Sequence, residues 1–270
     1  MKKIKVGIIG CGTIGSALAK ILSREFRSRA VLTCLCDHQK EKAGRLAGAF
    51  PGKIRVVSLE RLIRDCDLVI ESASAAVSGR IAKECLAHNK NVLIMSVGGL
   101  LSDGDFARLL KRSRGKLWIP SGAVAGVDAL LAAREAKLWR VTLITTKPAA
   151  VLAQAPYFRT RKFPALRGRQ SRCVFKGSAR EAVRAFPQNI NVAAVLSLAG
   201  IGAVRTRVEI WASRAAHTNR HEVVIEGEFG KMRALTENTP SPTNPKTSYL
   251  AILSAVATLR RIFSPLQIGT

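Results

Sequence analysis

Three glycines near the start of the chain have the spacing of a phosphate-binding turn. They form the pattern Gly-x-Gly-x-x-Gly directly after an apolar run (Val6, Ile8 and Ile9) and before an amphipathic segment. The first glycine allows a tight turn, the second lets a phosphate approach the backbone, and the third lets a helix pack closely on a strand. Backbone N–H groups and the helix dipole then attract the phosphates. We therefore predict a dinucleotide site. Its turn residues are Gly10, Gly12, Thr13, Ile14 and Gly15.

An aspartate follows this turn at the distance expected for a ribose-binding carboxylate. Asp37 ends the second apolar run and lies 22 positions after Gly15 (37 − 15 = 22), close to the roughly 20 typical of the motif. Its charge would repel a 2′-phosphate, although His38, Lys40 and Lys42 offset that repulsion. We predict a preference for NAD with some use of NADP. A solvated helix start is the simpler explanation of the three basic residues.

Histidine is the side chain best suited to acid–base chemistry near neutral pH. His221 opens the alternating run HEVVIEGEF and shares its apolar face with Val223 and Ile225. An imidazole at that position either has its nitrogens hydrogen-bonded within the core or is directed into a cleft. The residues alone leave both interpretations open.

Two polar stretches are further candidates for a ligand site. In FPQNIN, Asn189 and Asn191 flank a predicted helix start, where their amides either cap the helix or bind a ligand. The proline-rich stretch NTPSPTNPKTS, residues 238–248, either lines a cleft between domains or is a plain linker. The candidate substrate-binding residues are Asn191, Thr243, Asn244 and Lys246.

The predicted elements place small residues beside the dinucleotide. Up to about residue 120, apolar strands alternate with amphipathic helices, which predicts α/β architecture with a doubly wound parallel sheet of Rossmann type. Such sheets bind ligands at the carboxyl ends of their strands. The small residues of segments 72–75, 96–99 and 121–123 follow predicted strands. We expect them near the cofactor and select Ala73 as a contact.

The pattern changes from about Val141 to alternating strands interspersed with helices. It predicts a second, α+β domain over residues 141–244 with an open mixed or antiparallel sheet. Residues 1–140 would form the dinucleotide-binding domain, completed by a C-terminal helix within residues 245–270. Because one face of an open sheet needs a cover, we expect a homodimer.

The composition is strongly basic. The chain has 44 Lys and Arg against 18 Asp and Glu, a net charge of +26, which attracts anions from nucleotides and dicarboxylates to nucleic acids. Nine of the basic residues lie within 159–184, where Glu181 is the one acid. Aromatic residues make up only 5% and no nucleic-acid-binding motif is present. These features favour a solvated basic surface over nucleic-acid binding.

The cysteines and apolar runs indicate the compartment. Six cysteines occur without a CxxC pair or a spacing suited to zinc, so we expect buried, reduced thiols and no metal. No apolar run is long enough to span a bilayer. The start, KKIKVGIIGC, is too short and too rich in glycine for a signal peptide. We expect a cytoplasmic protein.

Four stretches resemble the L-aspartate dehydrogenase family. These are SGAVAGVDAL (121–130), FPQNINVAAVLSLAGIG (186–202), TNRHEVVIEGEFG (218–230) and the proline-rich stretch at 238–248. The resemblance covers nearly the whole chain, in order, and its motifs are far more specific than the glycine pattern.

This resemblance implies a function. Members carry out NAD(P)-dependent oxidative deamination of L-aspartate to iminoaspartate, which becomes oxaloacetate and ammonia, and they are dimers with a link to NAD biosynthesis. The family's active-site histidine falls on His221. Its cofactor-contacting alanine and asparagine fall on Ala123 and Asn189.

Two other functions fit parts of the sequence. An aspartate-semialdehyde-type dehydrogenase shares the two-domain plan but needs a cysteine nucleophile activated by a histidine. Only Cys173 lies in the predicted second domain. A non-enzymatic, NAD-sensing nucleic-acid-binding protein would instead use the basic residues of 159–184.

Overall fold

The chain divides after Pro120 into two units. The computed structural model describes residues 2–102, 106–186, 191–242 and 244–270. The first unit comprises Met1–Pro120 and Ile252–Leu266, and the second comprises Ser121–Ala251 and Gln267–Thr270. Among the helices of the described ranges, none has the length and apolar character needed to cross a membrane.

Strands and helices alternate in the first unit. Its strands are β1 (Ile4–Ile9), β2 (Ala30–Cys36), β3 (Arg55–Val56), β4 (Leu68–Glu71), β5 (Asn91–Ile94) and β6 (Leu117–Trp118). Its helices are α1 (Thr13–Glu25), α2 (Lys40–Gly48), α3 (Leu59–Asp65), α4 (Ala75–Ala87) and α5 (Phe106–Arg112), with a 3-10 helix at Val97–Ser102. The described strands pair in parallel in the order β3-β2-β1-β4-β5-β6. This is the order of a Rossmann fold, and it confirms the predicted doubly wound sheet.

The central strands of this sheet are apolar on both faces. Val6 and Ile8 of β1 and Val69 and Ile70 of β4 are fully buried. A parallel sheet covered by helices on both faces requires such strands. Each apolar strand ends at a loop of polar and small residues. These loops therefore lie at the edge of the sheet where the carboxyl ends of the strands meet.

The second unit is built on a mixed sheet. Its strands are β7 (Leu138–Pro148), β8 (Ser171–Ser178), β9 (Arg207–Ser213), β10 (Asn219–Gly227), β11 (Gly230–Asn238), β12 (Pro240–Ser241) and β13 (Asn244–Ser248). Its helices are α6 (Val127–Ala133), α7 (Ala149–Ala153), α8 (Ala179–Ala185) and α9 (Asn191–Ala199), with a 3-10 helix at Pro156–Phe158. Five strands lie in the order β11-β10-β7-β9-β8 within the described residues, and the central pair β7–β9 is parallel while the others are antiparallel. The predicted open mixed sheet is confirmed.

One face of this sheet carries the core of the second unit. Leu143 of β7, Ile210 of β9 and Ile225 of β10 are buried together with Leu196 of α9. Seven residues of α9 are buried in its nine-residue span, so this helix is apolar almost all round. The alternation of buried and exposed residues along β7 and β10 decides which of their polar side chains enter this face.

The last helix, α10 (Tyr249–Phe263), packs into the core of the first unit. Leu259 is fully buried there, and the ring centroid of Phe263 lies 5.2 Å from that of Phe26. The division between the units differs from the expected one at residue 140. Helix α6 belongs to the second unit because its Leu130 and Ala133 are buried in that unit's core.

Candidate active site

The glycine turn after β1 is shaped by two close backbone approaches. Gly10 has φ of +90°, and a Cβ atom there would lie 2.5 Å from the carbonyl of Ser72. A Cβ atom at Gly15 would lie 2.0 Å from the Gly10 carbonyl oxygen. In contrast, a Cβ atom at Gly12 would meet no described atom within 4 Å. The turn is therefore packed tightly from behind and open at Gly12, on the side where a diphosphate would approach.

The first turn of α1 faces the same opening. Helix α1 begins at Thr13, and no described side chain caps its N-terminus at Gly12. Ile14 packs against the core of the unit while Gly12 is exposed. Backbone N–H groups at a helix start bind phosphate well. These residues fit the diphosphate of a dinucleotide.

Asp37 already holds the turn in place. Its two carboxylate oxygens accept the N–H groups of Cys11 at 2.7 Å and Gln39 at 2.9 Å, and the Nδ1 atom of His38 lies 3.1 Å away. Burial alone would favour the neutral acid. The two N–H donors and the charges of His38 and Lys42 nevertheless hold the pKa of Asp37 below its ordinary value. Because a carboxylate offers about four acceptor sites, capacity for ribose hydroxyls remains.

Glu71, which the sequence analysis did not select, joins two of the predicted cofactor loops. Its fully buried carboxylate accepts the N–H group of Ala73 at 2.8 Å and that of Ser96 at 2.9 Å. Burial raises the pKa of Glu71 despite these donors. The signal in the sequence was an acid at the end of an otherwise apolar strand. Ala73 itself is exposed beside the Gly10 turn.

His221 lies on the core face of the second unit. As predicted, it shares that face with Val223 and Ile225, and it is only 5% exposed. It lies directly opposite Thr145 of β7, and its Nδ1 atom and the Thr145 hydroxyl share a hydrogen bond of 3.1 Å. Burial, with a further contribution from the charge of Lys147, lowers the pKa of His221 to about 3. The imidazole is therefore neutral at neutral pH.

Lys147 is a second buried polar residue that sequence reasoning missed. It follows Thr145 by two positions on β7 and is 6% exposed, so the two side chains leave the strand on the same face. Burial lowers the pKa of Lys147 to about 8. The available signal was its parity with Thr145 in the alternating run VTLITTKP.

Ala123 is connected to the strand of His221. Its carbonyl oxygen accepts hydrogen bonds from Thr236 Oγ1 at 3.2 Å and from Asn238 Nδ2 at 3.0 Å. Thr236 lies opposite His221 in the β10–β11 pairing, 3.3 Å from the His221 carbonyl oxygen. The buried Oδ1 atom of Asn238 accepts no hydrogen bond from the described residues. Ala123 and His221 thus belong to one hydrogen-bonded group.

The remaining predicted site residues lie at the start of α9, in β13, or outside the described residues. Asn191 is exposed at the start of α9, and Asn244 is half-buried at the start of β13. Lys246 lies within β13. Asn189 and Thr243 lie outside the described residues.

The features behind the competing functions have ordinary explanations. The Cys173 thiol donates to the Phe175 carbonyl at 3.2 Å, and burial raises its pKa, whereas a cysteine nucleophile needs a lowered pKa. The nine basic residues of 159–184 are all exposed, and Lys176 forms an ion pair with Glu209. Within the described residues, no group of three metal-ligating side chains occurs.

Two family models match the chain. The model described as aspartate dehydrogenase, C-terminal, matches residues 128–262. The model described as the NAD-binding domain of homoserine dehydrogenase matches residues 10–116. The first match covers the mixed sheet with His221, and the second covers the glycine turn and Asp37.

Relatives align along the full length. The chain is 46% identical to the L-aspartate dehydrogenase of Methanosarcina acetivorans over 99% of this chain and 100% of that protein. It is 34% identical to L-aspartate dehydrogenase 3 of Bordetella bronchiseptica over 100% and 98%. The crystal structure of aspartate dehydrogenase from Thermotoga maritima superposes with a TM-score of 0.75 at 27% identity, covering 99% of this chain and 100% of that one.

Proposed function

The chain belongs to the L-aspartate dehydrogenase family, and from that premise we propose that His221 is its general acid–base group. The enzyme is an NAD(P)-dependent oxidoreductase that deaminates L-aspartate oxidatively. The observation that carries the role of His221 is a buried imidazole whose Nδ1 atom is engaged by Thr145.

The glycine turn and Asp37 of the first unit supply the main cofactor contacts. NAD, when bound, accepts a hydride from the α-carbon of the amino acid. The open turn at Gly10, Gly12 and Gly15 would hold its diphosphate, and Asp37 its adenosine ribose. We assign Ala73, Ala123 and Asn189 to further contacts with the cofactor.

His221 handles the protons on either side of hydride transfer. If Nδ1–H donates to Thr145, the lone pair lies on Nε2. Nε2 first takes a proton from the substrate ammonium, which leaves the free amine whose electron pair forms the imine as the hydride departs. After that proton has passed to solvent, Nε2 takes a proton from the water that attacks iminoaspartate. It returns this proton to the nitrogen of the adduct, which leaves as ammonia while the hydroxyl group becomes the carbonyl of oxaloacetate.

Replacing His221 tests this role. We expect His221→Ala to lower kcat by about 10²–10⁴-fold, the usual contribution of general acid–base catalysis. The dissociation constant for NADH, measured by its fluorescence, should stay unchanged. The rate of NADH formation, measured over a series of L-aspartate concentrations, gives kcat. L-malate and L-homoserine serve as compounds that should not react.

His217→Ala is the matched control, because His217 is an exposed histidine of the same unit. It should retain the wild-type kcat. A His221→Ala enzyme with unchanged kcat would remove His221 from the mechanism.

The assembly, location and remaining substrate contacts follow from the same family membership. We infer a cytoplasmic homodimer whose iminoaspartate enters NAD biosynthesis. Asn191, Thr243, Asn244 and Lys246 are assigned to the substrate. Sedimentation equilibrium should give twice the chain mass of 29.1 kDa, and a single monomeric species would contradict the dimer.

A further inference from the structure

A cavity of about 760 Å³ lies at the amino edge of the parallel sheet in the first unit. Its walls are the end of α1, the start of β2 and the segment 49–54 that follows α2. Asp37 of the cofactor site lies at the other end of β2, seven positions from Ala30 (37 − 30 = 7). Seven residues of a strand span roughly 23 Å. The cavity is therefore separate from the glycine turn and from Asp37.

The cavity exists because β3 is short. This strand pairs with β2 only at Cys34 and Leu35, so within the described residues no strand covers that edge of β2 at 30–33. The gap is lined by the buried Leu22 and Leu32. Its volume is within the range of about 300–1,000 Å³ that is typical of sites for small molecules.

The charged residues around the cavity are all basic. Five basic side chains and no acid line it among the described residues, and all five are exposed. None of the five forms an ion pair with another described residue. Glu25, the acid next to one of them in the sequence, contacts Arg260 of α10 instead. The five are Lys3, Lys20, Arg24, Arg27 and Lys53.

These charges favour a ligand with several negative charges. Arg27 follows α1 on one side of the cavity, and Lys53 belongs to the segment on the other side. Positive groups around a cleft with apolar walls attract anions strongly, and Arg and Lys donate charge-assisted hydrogen bonds to phosphate oxygens. The same charges repel a second copy of this basic chain.

An aromatic ring adds a second requirement. Phe50 is half-buried, packs against the core of the first unit and lines the cavity together with Pro51 and Val31. Val31 is 41% exposed. Aromatic rings stack on nucleobases, and so do guanidinium planes. An inorganic phosphate would use the charges but leave the apolar wall in water. The cavity therefore fits a ligand that combines a flat ring with several phosphates.

We propose that this cavity is a second nucleotide site, which binds a nucleoside polyphosphate. The base lies against Phe50, and Arg27 and Lys53 hold the phosphates. The site acts independently of the glycine turn, so that both can be occupied in the same chain. It goes beyond the oxidation of L-aspartate, which requires no ligand at the amino edge of the sheet.

Calorimetry with ATP as the probe, without added metal, tests the proposal. The full chain is first saturated with NADH, which occupies the glycine turn, at about 0.15 M salt. We expect one ATP to bind per chain while the NADH fluorescence stays unchanged. Adenosine lacks the phosphates and pyrophosphate lacks the ring, so each should bind at least about tenfold more weakly than ATP.

Two variants remove the two parts of the site. Arg27→Gln combined with Lys53→Gln removes a charge from each side, and both residues are exposed. The dissociation constant of ATP should rise about tenfold, as for the loss of two exposed charged contacts. Phe50→Leu keeps an apolar side chain but removes the ring. It should weaken ATP about tenfold and leave pyrophosphate binding unchanged.

Arg159→Gln combined with Lys162→Gln is the matched control. It removes the same two residue types from exposed positions of the second unit and should leave the wild-type affinity for ATP. An equal loss in both double variants would show that ATP responds only to the net charge of the chain, which would overturn the proposal. Pyrophosphate binding as tight as that of ATP would overturn the contact with the base. Displacement of NADH by ATP would place the nucleotide at the glycine turn and would also overturn the second site.

Discussion

The glycine turn and the hydrogen-bonded pair of His221 and Thr145, called the His221 group below, differ in the atoms that form them. The turn is made of backbone within residues 10–15, and its shape depends on atoms that side chains would displace. The His221 group is made of side chains from β7 and β10, and its central hydrogen bond joins residues 76 positions apart. The backbone turn tolerates no added atom at Gly10 or Gly15, whereas the side-chain site depends on strand register and on the effect of burial on charged groups.

Adding one methyl group to the turn should have the largest effect. A Cβ atom at Gly15 would lie 2.0 Å from a backbone oxygen, so Gly15→Ala must displace the turn. We expect it to lower the free energy of unfolding by about 3 kcal/mol, in the range of overpacking, and to abolish NADH binding. Urea unfolding and NADH fluorescence measure the two effects.

Gly12→Ala is the matched substitution, because its Cβ atom meets open space. Its unfolding free energy should match the wild type while NADH binding weakens. Equal stability of the two variants would show that close backbone packing does not shape this turn.

The His221 group should respond to pH. In the unfolded chain a histidine takes up a proton below about pH 6.5, whereas the pKa of folded His221 is lowered to about 3. Between these values the unfolded state binds more protons, so stability falls as the pH falls. From pH 6.5 to pH 5 this contributes a loss of about 2 kcal/mol.

His221→Gln should remove that part of the pH dependence. Urea unfolding of both proteins at pH 5, 6 and 7 (values chosen about the reference pKa) measures it. His217→Gln, an exposed replacement, should follow the wild type. Identical pH dependence in wild type and His221→Gln would mean that His221 is not held neutral by the fold.

Replacing Asp37 should have the smallest effect, since its carboxylate accepts backbone N–H groups of the turn in addition to any contact with the cofactor. Asp37→Asn removes the charge that repels a 2′-phosphate while keeping one acceptor for Cys11 or Gln39. We expect the ratio of kcat/KM for NAD over NADP to fall about tenfold, equivalent to about 1.4 kcal/mol. An unchanged ratio would show that the carboxylate stabilises the turn and does not distinguish NAD from NADP.

Local patterns predicted most elements well. Helix α9 begins and ends where the apolar run at residues 191–199 predicts, because an almost uniformly apolar segment belongs in a core. Helix α6 was not predicted, although its Leu130 and Ala133 are buried in the core of the second unit. Its packing moved the unit boundary to Pro120.

Charge placement was harder to predict than fold. Glu71 and Lys147 appear in the sequence as single charged residues at the ends of apolar strands. Their importance depends on burial and on specific neighbours, Ser96 for Glu71 and His221 for Lys147. Neither neighbour is close in the sequence.

The amino-acid sequence by itself determined the parallel, doubly wound architecture of the first unit, the glycine turn, the position of Asp37 and the face of β10 that His221 shares. Each of these depends on spacing within a short stretch, and spacing is set by covalent geometry and strand or helix period. The tertiary structure alone decided that Thr145 meets His221, that Lys147 is buried beside it, and that Glu71 joins two loops. Those facts depend on strand pairing and on exclusion of water, which arise only when distant segments pack together.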